Sequence, residues 1–198
     1  MAYYKTKITN KEFMLEEIIA QKKVVRQQIR ELKNSLTPSQ KQAQADRVFT
    51  NLELLPEFKN AQNIFIYWSL PDELPTHKFI EKWHTKKHFF LPSVADDSMI
   101  IKPFSRIEPM LEGCHGIMEP DSSECFAGKI DLVIVPGIAF DLRKNRLGRG
   151  KGYYDRFFSN NESIKIGVCF DFQLLENIPF SLHDMKMNKL ITPKQIID

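Results

Sequence analysis

Residues 147–155, LGRGKGYYD, place three glycines, two cations and an acid within nine positions. The glycines allow positive φ and close approach of the backbone, so consecutive N–H groups can bind an anion. Arg149 and Lys151 add positive charge beside Arg146, and a helix beginning at Tyr153 would direct further N–H groups to the same place. The spacing matches neither the Walker loop nor G-x-G-x-x-G. These residues favour a phosphate site, with a solvated basic loop or a contact to RNA as the alternative.

An acid and two more cations could complete such a site. Asp155 stands in the first turn of the expected helix, where it could hold Mg²⁺ on phosphate oxygens or only offset the helix dipole. Lys22 interrupts an apolar stripe of the first helix, and Arg26 follows one turn later. Both cations either reach solvent, as surface cations commonly do, or point at an anion in a cleft. The residue types leave these alternatives open.

Composition limits the class of protein. The chain has 198 residues, 42% of them apolar and 27% charged, which predicts one globular domain spanning 1–198. A net charge of +3 is low for a dedicated nucleic-acid binder, so a basic site must be local. The three cysteines, at 114, 125 and 169, lack CxxC spacing, which argues against a disulfide framework or a zinc site. With no apolar leader or membrane span apparent, we expect a cytoplasmic protein without a membrane partner.

Two predicted helices precede the first strand, and the first of them carries Lys22. The first is predicted over about 12–36, with an apolar stripe at Leu15, Ile18, Val25, Ile29, Leu32 and Leu36. Thr37-Pro38-Ser39-Gln40 has the form of a capping box, which predicts a second helix from there to about residue 55. Thr76 can cap a further short helix that carries Phe79, Ile80 and Trp83.

Apolar runs predict the strands of an α/β fold. They lie at 63–68, 88–91, 99–104, 131–135 and 164–170, the first two forming a βαβ unit with the short helix between them. In an open parallel sheet, ligands bind beyond the carboxyl ends of the strands. The loops 69–75 and 136–152 both follow such ends, so they are expected to share one rim of the sheet.

The segment 135–158, VPGIAFDLRKNRLGRGKGYYDRFF, resembles the 5-formyltetrahydrofolate cyclo-ligase family, also called methenyltetrahydrofolate synthetases. The likeness extends over nearly the whole chain, through SLPDELPT at 69–76, GIMEP at 116–120 and HDMK at 183–186. It implies a three-layer α/β/α sandwich with a mostly parallel, Rossmann-like sheet. It also implies ATP- and Mg²⁺-dependent conversion of 5-formyltetrahydrofolate to 5,10-methenyltetrahydrofolate through a phosphorylated formyl intermediate, with release of ADP and phosphate. Such chemistry needs no covalent nucleophile, and no convincing Ser-His or Cys-His signature stands out here.

The resemblance implies a role for individual residues. The ATP-binding positions would be Lys22, Arg26, Arg146, Leu147, Gly148, Arg149, Gly150, Lys151, Gly152, Tyr153 and Asp155. Asp155 and Asp184 would hold the metal, and Glu73, Lys151 and Arg149 would be catalytic. The folate would contact Tyr67, Trp68, Glu73 and His115, with one of the two adjacent aromatics facing the rim and stacking on the pterin. As isolated residues, Glu73 and Asp184 could also be solvated surface carboxylates, which is the less favoured alternative.

Three positions depart from the family pattern. His115 stands where relatives usually carry an aromatic, Met118 where they often carry proline, and Asn188 where aspartate is frequent. His115 and Met118 change the expected shape of the cavity wall that would contact the folate. Asn188 replaces a charged carboxylate with a neutral amide.

Two other functions compete with the cyclo-ligase. A non-catalytic RNA or nucleotide binder could use the basic glycine loop as an electrostatic contact, although it would gain nothing from Glu73, Asp155 and Asp184. A sugar-phosphate isomerase could share the same architecture, because fold alone does not determine function. The main hypothesis predicts a monomer with a small-molecule substrate, 5-formyltetrahydrofolate, and no nucleic acid.

Overall fold

The structure is a computed structural model that describes residues 2–95, 98–105, 109–113, 116–159, 161–181 and 184–198, with the backbone alone for 2–12 and 95. Its helices are α1 (Ala2–Asn34), α2 (Pro38–Leu54), α3 (Pro56–Asn60), α4 (His77–Trp83) and α5 (Tyr153–Phe158). No helix among these described residues is both long and apolar enough to cross a membrane.

Twelve strands form three sheets within the described residues. They are β1 (Asn63–Ile66), β2 (His88–Ala95), β3 (Ser98–Pro103), β4 (Met110–Glu112), β5 (Met118–Pro120), β6 (Leu132–Val135), β7 (Ala139–Asp141), β8 (Arg146–Leu147), β9 (Ile164–Val168), β10 (Leu174–Leu175), β11 (Lys189–Ile191) and β12 (Ile196–Ile197). The central sheet has seven strands in the order β12-β11-β9-β6-β1-β2-β3. Its five inner strands are parallel, and antiparallel β3 and β12 form its edges.

The central sheet is buried on both faces, which confirms the α/β fold with a mostly parallel sheet. Ile64 and Ile66 of β1 pack in the core that contains α2, α3 and α4. Phe65, between them, points to the opposite face and packs with Phe140 of β7 and Phe158 of α5. Each fully buried side chain of this size contributes about 1.5–3 kcal/mol through loss of apolar surface to water. The continuous apolar run of β1 therefore follows from burial on both faces.

The inward face of α1 differs from the predicted stripe. Ile29 is buried as predicted, whereas Leu15 and Leu32 are 52% and 45% exposed. Lys33 is buried in place of Leu32, one position along the helix. The predicted burial of Leu32 is wrong, because the fold instead buries Lys33 beside the carboxylate of Asp72 in the loop after β1.

Local signals at the helix ends had mixed outcomes. The capping box of α2 is confirmed: Oγ1 of Thr37 accepts from the Gln40 amide, and the Gln40 side chain accepts from the Thr37 amide. Thr76 stands directly before α4, as predicted, but its side chain does not cap the helix, because its hydroxyl donates to the carbonyl of Tyr67 at 2.9 Å. This hydrogen bond closes the loop after β1 instead, so Thr76 positions residues at the rim of the sheet.

The strand ends place the two predicted site loops side by side. β1 and β6 are parallel neighbours, with Ile66 opposite Ile134. Their carboxyl ends lead into the loops 67–76 and 136–152. The βαβ unit β1–α4–β2 is confirmed by parallel pairing of Asn63 with His88. The prediction that both loops lie at one rim of the sheet is confirmed by the ion pair between Arg149 of one loop and Glu73 of the other.

Candidate active site

A cavity of about 570 Å³ lies at this rim. Its lining comes from α1, the loop after β1, the strands β2 and β3, the glycine loop, α5 and Asp184. Six cations and three carboxylates line it: Lys22, Arg26, Arg146, Arg149, Lys151, Arg156, Glu73, Asp155 and Asp184. The excess of positive charge is suited to a polyanion, and the carboxylates are suited to a metal or to proton donors of a ligand.

The glycine loop uses its glycines for two different reasons. Gly150 and Gly152 have φ of +103° and +71°, which side chains rarely tolerate. Gly148 is outside that region, but a Cβ there would lie 2.9 Å from the guanidinium nitrogens of Arg146. A side chain at 148 would therefore require the Arg146 guanidinium to move. Nε of Arg26 donates to the Gly148 carbonyl at 2.9 Å, so α1 braces the loop.

Arg146 is the buried cation beneath the loop, 7% exposed. Its Nε donates to the Pro136 carbonyl at 3.0 Å, and its guanidinium lies 4.9 Å from the centre of the Tyr154 ring. Nη1 lies 3.7 Å from Oδ1 of Asp155. Burial lowers the pKa of Arg146, and the nearby charge of Asp155 opposes that shift. Arg146 is thus held in one orientation at the base of the cavity.

Lys22 points into the cavity rather than to solvent, which resolves the alternative left open by its place in α1. Its Nζ lies 2.5 Å from Oδ2 of Asp184 and 3.2 Å from Oγ of Ser181. The same Asp184 oxygen accepts from the backbone N–H of Ser181 at 2.7 Å. Asp184 is therefore not a solvated surface carboxylate: it ties the C-terminal segment to α1 at the edge of the cavity.

Asp155 and Asp184 are the two carboxylates predicted to hold a metal, and both line the cavity. Oδ1 of Asp155 accepts from the Met185 N–H at 3.3 Å, which brings α5 against the residue next to Asp184. No group of three or more His, Cys, Asp or Glu side chains suited to a metal occurs in the described part of the chain. Two carboxylates are nonetheless a common protein contribution to a Mg²⁺ site in which phosphates and water supply the other ligands.

Arg149 and the loop after β1 form a network across the cavity mouth. Nη2 of Arg149 lies 2.6 Å from Oδ1 of Asp72 and 3.0 Å from Oε1 of Glu73. Oε2 of Glu73 accepts from the Leu70 N–H at 3.0 Å. Burial acts to lower the pKa of Arg149, but the charges of Glu73 and Asp72 raise it overall. Glu73 is thereby fixed at the cavity wall, 12% exposed, rather than solvated in a surface loop.

Aromatic and aliphatic side chains form the opposite part of the wall. Tyr67 is buried, with its hydroxyl donating to the Leu74 carbonyl at 2.8 Å, and Trp68 stacks on His77 with ring centres 4.0 Å apart. Both line the cavity, although alternation along the strand predicted that only one would face the rim. β1 ends at Ile66, so strict alternation no longer applies at these positions. Further apolar lining comes from Pro92, Val94, Met99 and Ile117.

Among the predicted site residues that are described, all line this single cavity. Lys151 is exposed, and no hydrogen bond or ion pair joins it to another described residue. His115 lies outside the described residues. Asn188 is away from the cavity: its Oδ1 accepts from the Lys165 N–H at 2.8 Å and its own N–H donates to the Lys165 carbonyl, which starts the pairing of β11 with β9.

Sequence reasoning missed several residues of the network. Asp72 shares Arg149 with Glu73, and its position next to Glu73 in PDELPT was the available signal. Tyr154, adjacent to Tyr153, supports Arg146 through its ring. Ser181 and Lys33 carried no signal in the sequence, because their roles depend on partners more than 30 positions away.

Comparisons with known proteins identify a family for the whole chain. A model of the 5-formyltetrahydrofolate cyclo-ligase family matches residues 18–193. A 5-formyltetrahydrofolate cyclo-ligase of Haemophilus influenzae is 33% identical, covering 82% of this chain and 92% of the relative. A probable 5-formyltetrahydrofolate cyclo-ligase of Schizosaccharomyces pombe is 32% identical, covering 72% and 80%.

A solved structure gives the same result for the fold. The 5,10-methenyltetrahydrofolate synthetase of Aquifex aeolicus superposes with a TM-score of 0.80 at 30% identity, covering 88% of this chain and 91% of that one. The matched region contains α1 from residue 18, both rim loops and Asp184, which are the elements that build the cavity. The resemblance drawn from LGRGKGYYD is thus confirmed, and the chain belongs to the 5-formyltetrahydrofolate cyclo-ligase family of enzymes.

Proposed function

We propose that this enzyme converts 5-formyltetrahydrofolate to 5,10-methenyltetrahydrofolate using ATP and Mg²⁺, with release of ADP and phosphate. One observation carries the proposal beyond family membership: the basic glycine loop and the carboxylate of Glu73 line the same cavity and are joined by Arg149. A nucleotide phosphate on the loop and a folate beside Glu73 would therefore meet in one cavity.

The nucleotide half of the site consists of the glycine loop and the cations around it. Gly150 and Gly152 bring backbone close to the ligand without side chains, as the phosphates of a nucleotide require. Lys151, exposed and without a partner among the described residues, is available to contact a phosphoryl group. Arg146 and Arg26 are held by carbonyl groups, so their charges are fixed before the ligand arrives.

The folate half lies between Glu73 and the aromatic wall. Trp68 is fixed by stacking on His77, and it offers an apolar face at the cavity for the flat pterin ring. Glu73 is an acceptor held in place by Leu70 and Arg149, and it would hydrogen-bond folate nitrogens near N5 and N10. Fixed geometry of this kind supplies catalysis by orientation.

The proposed reaction has two steps. The formyl oxygen first bonds to the γ-phosphorus as the bond from that phosphorus to the ADP oxygen breaks, giving the phosphorylated formyl intermediate. N10 then bonds to the activated carbon, loses its proton, and phosphate leaves with the formyl oxygen. Arg149 and Lys151 would stabilise negative charge on the phosphoryl group as it moves. The proton of N10 would be released beside the Glu73 carboxylate.

The carboxylates of Asp155 and Asp184 are the proposed ligands of Mg²⁺ at the edge of the cavity. Asp155 and Asp184 would hold it, and it would neutralise charge on the phosphate oxygens. Asp184 pairs with Lys22 in the structure. Binding of Mg²⁺ at Asp184 would therefore require that the metal and Lys22 share this carboxylate, or that Lys22 moves to the phosphates.

The non-catalytic RNA binder is disfavoured by the placement of charge. The basic groups converge on one cavity together with three carboxylates, instead of forming a stripe on the surface. We expect purified protein to produce methenyltetrahydrofolate absorbance from 5-formyltetrahydrofolate only when ATP and Mg²⁺ are both present. Absence of turnover with pure, folded protein would overturn the proposal. Turnover without ATP would instead favour isomerase-type chemistry. The single domain, the monomeric state and the cytoplasmic location stay predictions.

A further inference from the structure

A second, smaller cavity of about 170 Å³ adjoins the proposed nucleotide site. Its lining comprises four cations, one carboxylate and one apolar residue: Arg26, Arg30, Lys33, Arg149, Asp72 and Ile138. Arg26 and Arg149 line both cavities, so these two arginines form a shared wall. The volume is well above the roughly 10–15 Å³ that holds one water molecule, so the cavity has room for a small ion.

Lys33 is the buried cation of this cavity. Its side chain is 1% exposed, and its Nζ makes no hydrogen bond to any described residue. The nearest carboxylate oxygen, Oδ2 of Asp72, is 3.7 Å away, and the other oxygen of Asp72 is engaged by Arg149 at 2.6 Å. One carboxylate thus serves two cations. A buried ammonium group without a hydrogen-bond acceptor is unfavourable, so an acceptor is missing at this place.

Lys33 and the three arginines are suited to an oxyanion. The ammonium group of Lys33 and the guanidinium groups of the arginines carry only hydrogen-bond donors and no acceptor atoms. A tetrahedral phosphate offers several oxygens to such donors at once, and bonds between charged partners are the stronger ones. Arg30 is exposed while lining the same cavity, which gives a path from the site to solvent.

We infer that this cavity binds inorganic phosphate next to the nucleotide site. The inference rests on the proposed function only for the source of the ion, since the proposed reaction releases phosphate on the other side of the arginine wall. Phosphate leaving the larger cavity would then be held between Lys33 and Arg30 before reaching solvent. The same chemistry could also receive the terminal phosphoryl group of a bound nucleotide, and the experiment separates the two sources.

The test is titration of inorganic phosphate into the full chain by calorimetry, with and without saturating ADP. We expect one phosphate to bind per chain while ADP fills the glycine loop, and at least one without ADP. Lys33→Met keeps the aliphatic stem and removes the charge, so phosphate affinity should fall roughly tenfold or more. Arg30→Gln should weaken binding by a smaller factor. Lys23→Met, at an exposed position of the same helix, is the matched control and should leave the affinity unchanged.

Three results would overturn the inference. Loss of phosphate binding in the presence of ADP would place the ion on the glycine loop or identify the nucleotide phosphoryl group as the ligand. Unchanged affinity in both Lys33→Met and Arg30→Gln would remove the cavity from phosphate binding, as would the absence of binding by the unaltered chain. If Lys33→Met fails to fold by circular dichroism, Arg30→Gln decides alone. The measurement needs no folate and no turnover, so it can fail or succeed independently of the proposed function.

Discussion

Arg149 and Glu73 form an ion pair across the rim of the sheet, with Nη2 of Arg149 3.0 Å from Oε1 of Glu73. They are 76 positions apart in the chain and belong to loops that follow different strands. The same guanidinium group also binds Asp72, so the side predicted to hold ATP and the side predicted to hold folate are joined by one side chain. Because Asp72 still holds Arg149 when Glu73 is replaced, substitutions on the two sides are expected to have different kinetic effects.

Glu73→Gln tests the folate side. The amide keeps the shape of the side chain and removes the charge that Arg149 and the folate nitrogens would contact. We expect kcat/KM for 5-formyltetrahydrofolate to fall roughly 10- to 100-fold, because a hydrogen bond to a charged group is lost. The KM for ATP should stay nearly unchanged in steady-state assays. Glu124→Gln, at an exposed position, is the control. Equal increases in both KM values would show that Glu73 is not specific to the folate.

Lys151→Ala tests the nucleotide side. Lys151 is exposed at the cavity, so its removal should not disturb the fold. We expect the KM for ATP to rise by about tenfold, because one charged contact to phosphate is lost. The KM for 5-formyltetrahydrofolate should change little. Lys129→Ala removes an exposed lysine elsewhere and should leave both constants unaltered. An unchanged KM for ATP in Lys151→Ala would remove this residue from the nucleotide site.

Asp155→Asn tests the metal assignment. The substitution removes a negative charge from the cavity and keeps an oxygen that can accept from Met185. We expect lower turnover and a shift of the Mg²⁺ titration to higher concentration, because a neutral amide oxygen is a weaker ligand for this hard cation. Asp121→Asn, exposed on another loop, provides the comparison. A Mg²⁺ titration that superposes on that of the unaltered protein would exclude Asp155 as a metal ligand.

Gly150→Ala tests the conformation of the loop. Gly150 has φ of +103°, and a Cβ there would lie 3.4 Å from Nη2 of Arg26. We expect the free energy of unfolding in urea to fall by about 1–3 kcal/mol, the cost of a side chain in this backbone region. The KM for ATP should rise as well, since the loop would shift from its ligand. Full stability together with an unaltered KM for ATP would contradict the geometry given for this loop.

His77 predicts a pH dependence of stability. Burial lowers the pKa of His77 from 6.5, with the hydrogen bond to Ser69 opposing the shift. The unfolded chain therefore binds this proton more readily than the folded one, and stability rises with pH between the lowered folded pKa and 6.5. The contribution is lost as the pH falls through the folded pKa. His77→Gln should flatten this part of the profile, measured by urea unfolding at several pH values. An unchanged slope would assign the dependence to other groups.

Features predicted correctly from the sequence depend on contacts between near neighbours. The capping box joins Thr37 to Gln40, three positions away, and the glycine loop combines its backbone and charges within 147–155. The burial of β1 on both faces follows from its continuous apolar run. Such features need no information about distant parts of the chain.

The wrong predictions concern contacts that only the folded chain brings together. Leu32 and Lys33 are adjacent on α1, and helical periodicity gives no reason to bury the lysine. Asp72 supplies that reason, because a carboxylate near the ammonium group reduces the cost of burial. Thr76 likewise donates to Tyr67 because the loop after β1 folds back, and its capping role is lost.

The sequence by itself determined the family, the α/β class and the basic glycine loop, because these are recorded in residue types and short spacings. The tertiary structure decided where the charges of that loop are directed: Arg149 to Glu73, Arg26 to the Gly148 carbonyl, and Lys22 to Asp184. It also revealed the cavity around Lys33, which no motif marks. The physical reason is that the energy of a charged side chain depends on burial and on its partners, and both are set by residues far away in the chain.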